Sequence, residues 1–112
     1  MCLSAIERPE APTGPLEVSD VDLTSATLSW KQPKNDGGSP IMGYIVERRE
    51  SIRSQWTRLD HLDADTCKLK AVNLVSGQEY HFRVMAQNKV GLSEPLETDH
   101  VVKPQSPFSE SC

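Results

Sequence analysis

Leu74, Gly77 and Tyr80 stand three residues apart, and from Tyr80 onward the chain alternates. Tyr80, Phe82, Val84 and Ala86 take one parity, and His81, Arg83, Met85 and Gln87 take the other. Successive side chains of a strand point to opposite faces, so this is a strand with one face turned to a core. The spacing before it suits a tyrosine corner, in which a Tyr near a strand start folds its hydroxyl back onto the backbone just upstream and fixes a crossover between two sheets. An alternating run alone fits any half-buried strand. Joined to the corner, it specifies an antiparallel β-sandwich, a fold that leaves function open.

The size agrees with one such unit. At 112 residues the chain can bury roughly two-thirds of its unfolded surface, and it needs neither disulfide nor metal to fold. The net charge of −4 speaks against a nucleic-acid or anionic-membrane surface. No apolar run approaches the roughly 18 residues of a membrane span. Met1 to Arg8 lacks the basic-then-apolar pattern of a signal peptide. Cys2 and Cys112 lie at the ends and Cys67 is internal, so the cysteines cannot staple the fold and fit a reducing, cytoplasmic setting. No Asn-x-Ser/Thr glycosylation signal occurs, which agrees with that setting.

Pro9, Pro12 and Pro15 stiffen the entry, and Pro104 and Pro107 the exit. Residues 1–11 and 105–112 read as linkers or appended segments around a domain at 12–104. Within it, seven short runs without helical period are expected as strands. Leu16, Val18 and Val21 mark the first. Ala26, Leu28 and Trp30 mark the second, with Thr27 and Ser29 outward and Pro33 ending it. Asn35 to Pro40 is a dense turn signal. Tyr44, Val46 and Arg48 alternate with Ile45, Glu47 and Arg49 in the third. Trp56 to Leu59 is a shorter fourth, and Cys67, Leu69 and Ala71 line the fifth. The Tyr80 run is sixth, Asn88 to Pro95 a loop, and Leu96 to Val102 the seventh. The fold class is therefore all-β, a seven-stranded two-sheet antiparallel sandwich.

These residues together resemble a fibronectin type III domain, an immunoglobulin-like sandwich. Trp30 falls where that family places its second-strand core tryptophan. Tyr44 matches its third-strand tyrosine, and Leu74, Gly77 and Tyr80 match its corner. Asp36 to Glu50, Trp56-Thr57, Glu79 to Gly91 and Glu94-Pro95 further resemble the intracellular muscle branch of the family, and most of all its titin-type A-band modules. Ala71-Val72-Asn73 departs from the Val-Thr-Gly more usual there. The resemblance implies a monomeric, non-catalytic structural and protein-binding module in the sarcomere, with the myosin thick filament and neighbouring domains of a tandem array as partners. It implies no cofactor, no nucleic acid and no membrane. An extracellular adhesion or receptor module is the alternative. The loop Gln87-Asn88-Lys89-Val90-Gly91-Leu92 holds no Arg-Gly-Asp, and Leu92-Ser93-Glu94-Pro95 is not a receptor tryptophan-serine motif.

Side chains that could carry chemistry are few. His61, His81 and His100 have neither metal-ligand spacing nor a placed partner. Asp60, Asp63 and Asp65 lack the glycine and distal glutamate of a calcium loop. Gly37-Gly38 lacks the Lys-Ser/Thr and following helix of a phosphate loop. Cys67 is expected as a buried small hydrophobe. The core is expected to comprise Trp30, Tyr44, Val46, Trp56, Leu69, Leu74, Tyr80, Phe82 and Val84, with Trp56 under an arginine stem such as Arg48 or Arg58. Arg48, Arg49, Arg53, Arg58 and Lys89 are the candidates for contact with a protein partner.

Overall fold

Short apolar-alternating segments separated by Gly, Pro and Asx turns leave two half-apolar sheets that must bury one face each, and they do so against one another. The computed structural model describes residues 5–106. Its strands are β1 (Thr13–Ser19), β2 (Ala26–Lys31), β3 (Gly43–Glu50), β4 (Thr57–Asp63), β5 (Lys68–Ala71), β6 (Tyr80–Gln87) and β7 (Leu96–Glu97). One sheet has the order β1-β2-β5 and the other β4-β3-β6-β7, with every pairing antiparallel. Between them lie Leu16, Leu28, Trp30, Tyr44, Val46, Leu74, Tyr80, Phe82 and Val84, with Leu59 and Leu69 partly buried at the margin. Trp30 meets Tyr44 edge-on at 5.6 Å, a favoured aromatic geometry.

Several sequence expectations are corrected. β4 begins at Thr57, excludes Trp56 and runs on to Asp63. Asp60 to Asp63 is poor strand sequence, yet it pairs in full with Gly43 to Val46, and cross-strand pairing overrides intrinsic preference. A bulge leaves one extra β4 residue, Leu59, and this residue packs against the core. β7 is only two residues long. Thr98 then bonds Phe82, and Val102 bonds Tyr80, so that Asp99 and His100 are looped out. Thr27 is buried despite its outward parity. It is small and sits in the central strand between Ser19 and Lys70. Ile45 and Met85 are neighbours on the outward face of the second sheet, yet only 2% and 6% exposed.

The outer edge of β6 is closed by two hydroxyls rather than by a regular ladder. Ser93 donates its N–H to the Ala86 carbonyl at 2.8 Å while its Oγ accepts the Ala86 N–H at 2.9 Å. Thr98 repeats the arrangement on Phe82, at 2.9 and 3.2 Å. Each hydroxyl stands in for a strand carbonyl, so buried β6 donors stay paired where β7 departs.

The corner forms around Tyr80, whose hydroxyl accepts the Val75 N–H at 2.8 Å. The partner is therefore an amide donor. Gly77 turns there at φ +85° and gives its N–H to the Pro104 carbonyl, a backbone conformation that favours glycine. Replacing Tyr80 with Phe should cost about 1 kcal/mol. An unchanged urea midpoint for that variant would refute the role given to the hydroxyl.

Tyr44 predicts the opposite. Its hydroxyl is buried and, among the described residues, has no partner in hydrogen-bond geometry, although the Cys67 thiol lies near it. Burial, and then the nearby Cys67 thiol, push its phenol well above the ordinary tyrosine range. Tyr44→Phe should leave stability equal or raise it by about 1 kcal/mol, because only an unsatisfied oxygen is removed. The folded phenol titrates above the unfolded one. The stability it favours is therefore complete below about pH 10 and lost as pH rises beyond it. Denaturation midpoints at pH 8 to 11 should fall less steeply for Tyr44→Phe than for the parent chain.

Candidate functional site

The turn after β2 builds the first candidate surface. Asn35 and Asp36 accept the N–H groups of Gly37 and Gly38 through their own side chains, at 2.8 and 2.9 Å, as short acidic and amide side chains do in Asx turns. Gly37 adopts φ +78°, and a Cβ there would lie 2.2 Å from the Glu7 carbonyl oxygen. The close approach has a purpose. The Glu7 and Glu10 N–H groups donate to the carbonyls of Gly37 and Asn35. Segment 7–10, expected as a linker, is thus laid along this turn.

Asn88 ties that arrangement to the β6–β7 loop. Asn88 as a residue is only 2% exposed. Nδ2 donates to the carbonyls of Glu7 and Asp36 at 2.7 and 2.8 Å. Oδ1 accepts the N–H groups of Val90 and Gly91 at 2.9 and 3.2 Å. All four hydrogen-bonding positions of the amide are used. Sequence reading treats Asn88 only as a loop start. The available signal is its place directly after the buried strand, three residues before Gly91.

A second candidate surface is the outward face of β3 and β6. Trp56 is half-buried there rather than in the core. The arginines on its ring are Arg83 at 4.2 Å and Arg49 at 5.3 Å, in place of Arg48 or Arg58. Arg83 also pairs with Glu47 at 2.7 Å, across the register that sets the two residues opposite each other. Arg83 is the member that sequence reading passes over, because parity alone does not say which outward cation an aromatic will meet.

The five candidate cations separate into distinct places. Arg49 holds the β3–β4 turn through the Arg53 carbonyl at 2.7 Å. Arg53 pairs with Glu50 at 3.1 Å. Arg48 lies over the Tyr80 ring at 5.4 Å and reaches the Asn73 carbonyl at 3.4 Å. Arg58 is exposed on β4, and Lys89 is exposed in the β6–β7 loop. Neither has an ion pair among the described residues. Cys67 is half-buried rather than fully buried. Among the described residues no three His, Cys, Asp or Glu side chains gather to hold a metal ion.

Two sheets of three and four strands, a tyrosine corner and a core Trp–Tyr pair are now joined by a profile match. Residues 10–99 fit the fibronectin type III domain. The chain belongs to the fibronectin type III family. This fibronectin type III domain is 34% identical over 103 residues to titin of Drosophila melanogaster, covering 92% of the chain and 1% of that protein. It is 34% identical over 110 residues to cardiac-type myosin-binding protein C of Homo sapiens, covering 98% of the chain and 9% of that protein. Among solved structures it superposes on titin domains A168–A170 with a TM-score of 0.81 at 35% identity, over 89% of this chain and 33% of that one. The twitchin kinase region of C. elegans gives 0.82 at 30% identity, over 94% and 18%. The fibronectin type III domain therefore spans a small part of each of these relatives. It is related to the modules of muscle proteins, some of which also contain kinases.

Proposed function

We propose that this domain is a non-catalytic structural and protein-binding module of a giant modular muscle protein. There it contributes to scaffolding and to myosin-filament association in the A-band of the cytoplasmic sarcomere. The observation that carries the reading is the likeness to titin and myosin-binding protein C over nearly the whole chain, the matched region being 1% and 9% of those proteins. A unit of this kind acts as one of many. Its partners are neighbouring domains and the thick filament, and weak contacts summed along an array give avidity that no single domain has.

The geometry suits that use. Segment 7–10 is bonded to the β2–β3 turn, and Asn88 locks the turn to the β6–β7 loop. The approach of a preceding domain is thereby directed instead of hanging on a loose tether. Arg58 and Lys89 remain available for contact, whereas Arg49 and Arg53 are engaged within the domain. Co-sedimentation with myosin filaments tests the reading. The isolated domain should pellet little above background, and an array of this domain with its native neighbours should pellet in proportion to filament. An array that stays in the supernatant at low salt would refute it.

A further inference from the structure

A groove of about 240 Å³ opens between β4 and β5, the outer strands of the two sheets. Its apolar surface comes from Leu59, Leu69 and Val72, and Val72 is 49% exposed. Arg48, Arg58 and Lys70 stand around it. The one acid in the lining among the described residues, Asp60, turns its carboxylate onto the His61 N–H at 2.8 Å. Arg58 and Lys70 therefore have no ion pair among the described residues. A protein of net charge −4 thus gathers three cations against one acid beside one apolar strip, a local positive excess.

We propose that this groove docks an extended acidic segment of a partner protein. One apolar side chain sits on Leu59, Leu69 and Val72, and flanking carboxylates meet Arg48, Arg58 and Lys70. Three features select this occupant. The volume is below the roughly 300 Å³ at which small-molecule sites begin, so it suits a side chain rather than a whole ligand. Among the described residues neither β4 nor β5 has a second strand neighbour, so each presents backbone groups that an extended chain can pair with. The charges are complementary to acid, which sets register and on-rate. Edge lysines also discourage strand pairing in general, so a neutral or basic segment is disfavoured. The inference rests on the domain being a protein-binding module and does not depend on myosin being the partner.

The test is an NMR titration of the ¹⁵N-labelled domain with a blocked heptapeptide of alternating glutamate and leucine. Parallel titrations use peptides with lysine or glutamine in place of glutamate. Amide shifts should concentrate at Leu59, Leu69, Lys70, Ala71 and Val72 for the glutamate peptide alone. Affinity should fall on the order of tenfold between low salt and ~0.5 M salt. Arg58→Glu and Lys70→Glu, both on exposed side chains, should each weaken binding about fivefold without moving the unfolding midpoint. Absence of shifts, equal shifts from the lysine peptide, or shifts confined to another face would overturn the proposal. Filament co-sedimentation of the array carrying both charge reversals is read separately. Peptide binding decides the groove, and pelleting of the parent array decides the sarcomeric reading.

Discussion

Phe82→Ala is expected to lower the stability of the domain by about 4 kcal/mol. Phe82 is fully buried, lies 6.1 Å from the Tyr80 ring, and comes from the strand that both β3 and β7 pair with. Truncation removes apolar area and leaves a cavity. The surrounding sheets cannot close it, because their positions are fixed by backbone pairing. A domain of this length is stable by only about 5–15 kcal/mol, so a large share of the margin goes. Urea unfolding followed by tryptophan fluorescence should show the midpoint falling by on the order of 2 M with an unchanged slope. A shift below about 0.5 M would mean that the β6 face is not the centre of the core.

Asn88→Ala is expected to cost about 3 kcal/mol, through polar groups rather than volume. The substitution strands the carbonyls of Glu7 and Asp36 and the N–H groups of Val90 and Gly91. Three pieces of chain lose their common tie. Segment 7–10 should then detach from the β2–β3 turn, and the Glu7 and Glu10 amides should lose hydrogen-exchange protection. Asn88→Asp should be nearly as damaging, because a carboxylate accepts from Val90 and Gly91 but cannot donate to the two carbonyls. Removing residues 1–8 from the parent chain should make Asn88→Ala cheaper. That non-additivity identifies the amide as the link. Full protection of Glu7 and Glu10 in the alanine variant would show that the segment is held by other means.

The contrast between these residues explains what could be read in advance. Phe82, Val84 and Tyr80 announce themselves by parity, because a strand reports its buried face every second residue. The corner is legible for a similar reason, since its members are close in sequence. Asn88 is not legible in this way. Its partners at Glu7 and Asp36 lie 81 and 52 residues away, and nothing local marks an asparagine as a hub. Trp56 shows the limit from the other side. It is expected in the core under Arg48 or Arg58, but the chain places it one residue before β4, where Arg83 and Arg49 cover it on the outer face. The two-residue β7 was hidden because Ser93 and Thr98 satisfy β6 with side-chain oxygens, and no alternation pattern records that substitution.

The groove was half legible. Arg48 and Arg58 are among the cations expected to contact a partner, whereas Lys70 joins them only through the meeting of β4 and β5. Arg49 and Arg53 have the same charge and neighbouring positions, yet fold into the β3–β4 turn. Strand parity, together with the bulge at Leu59, separates the two sets.

Immunogold labelling of stretched myofibrils with an antibody against the folded domain asks where the module works. The proposed function predicts gold within the A-band, at a distance from the M-line that does not change as the sarcomere is lengthened. Labels that move with stretch, lie outside the A-band, or decorate the cell surface would contradict it.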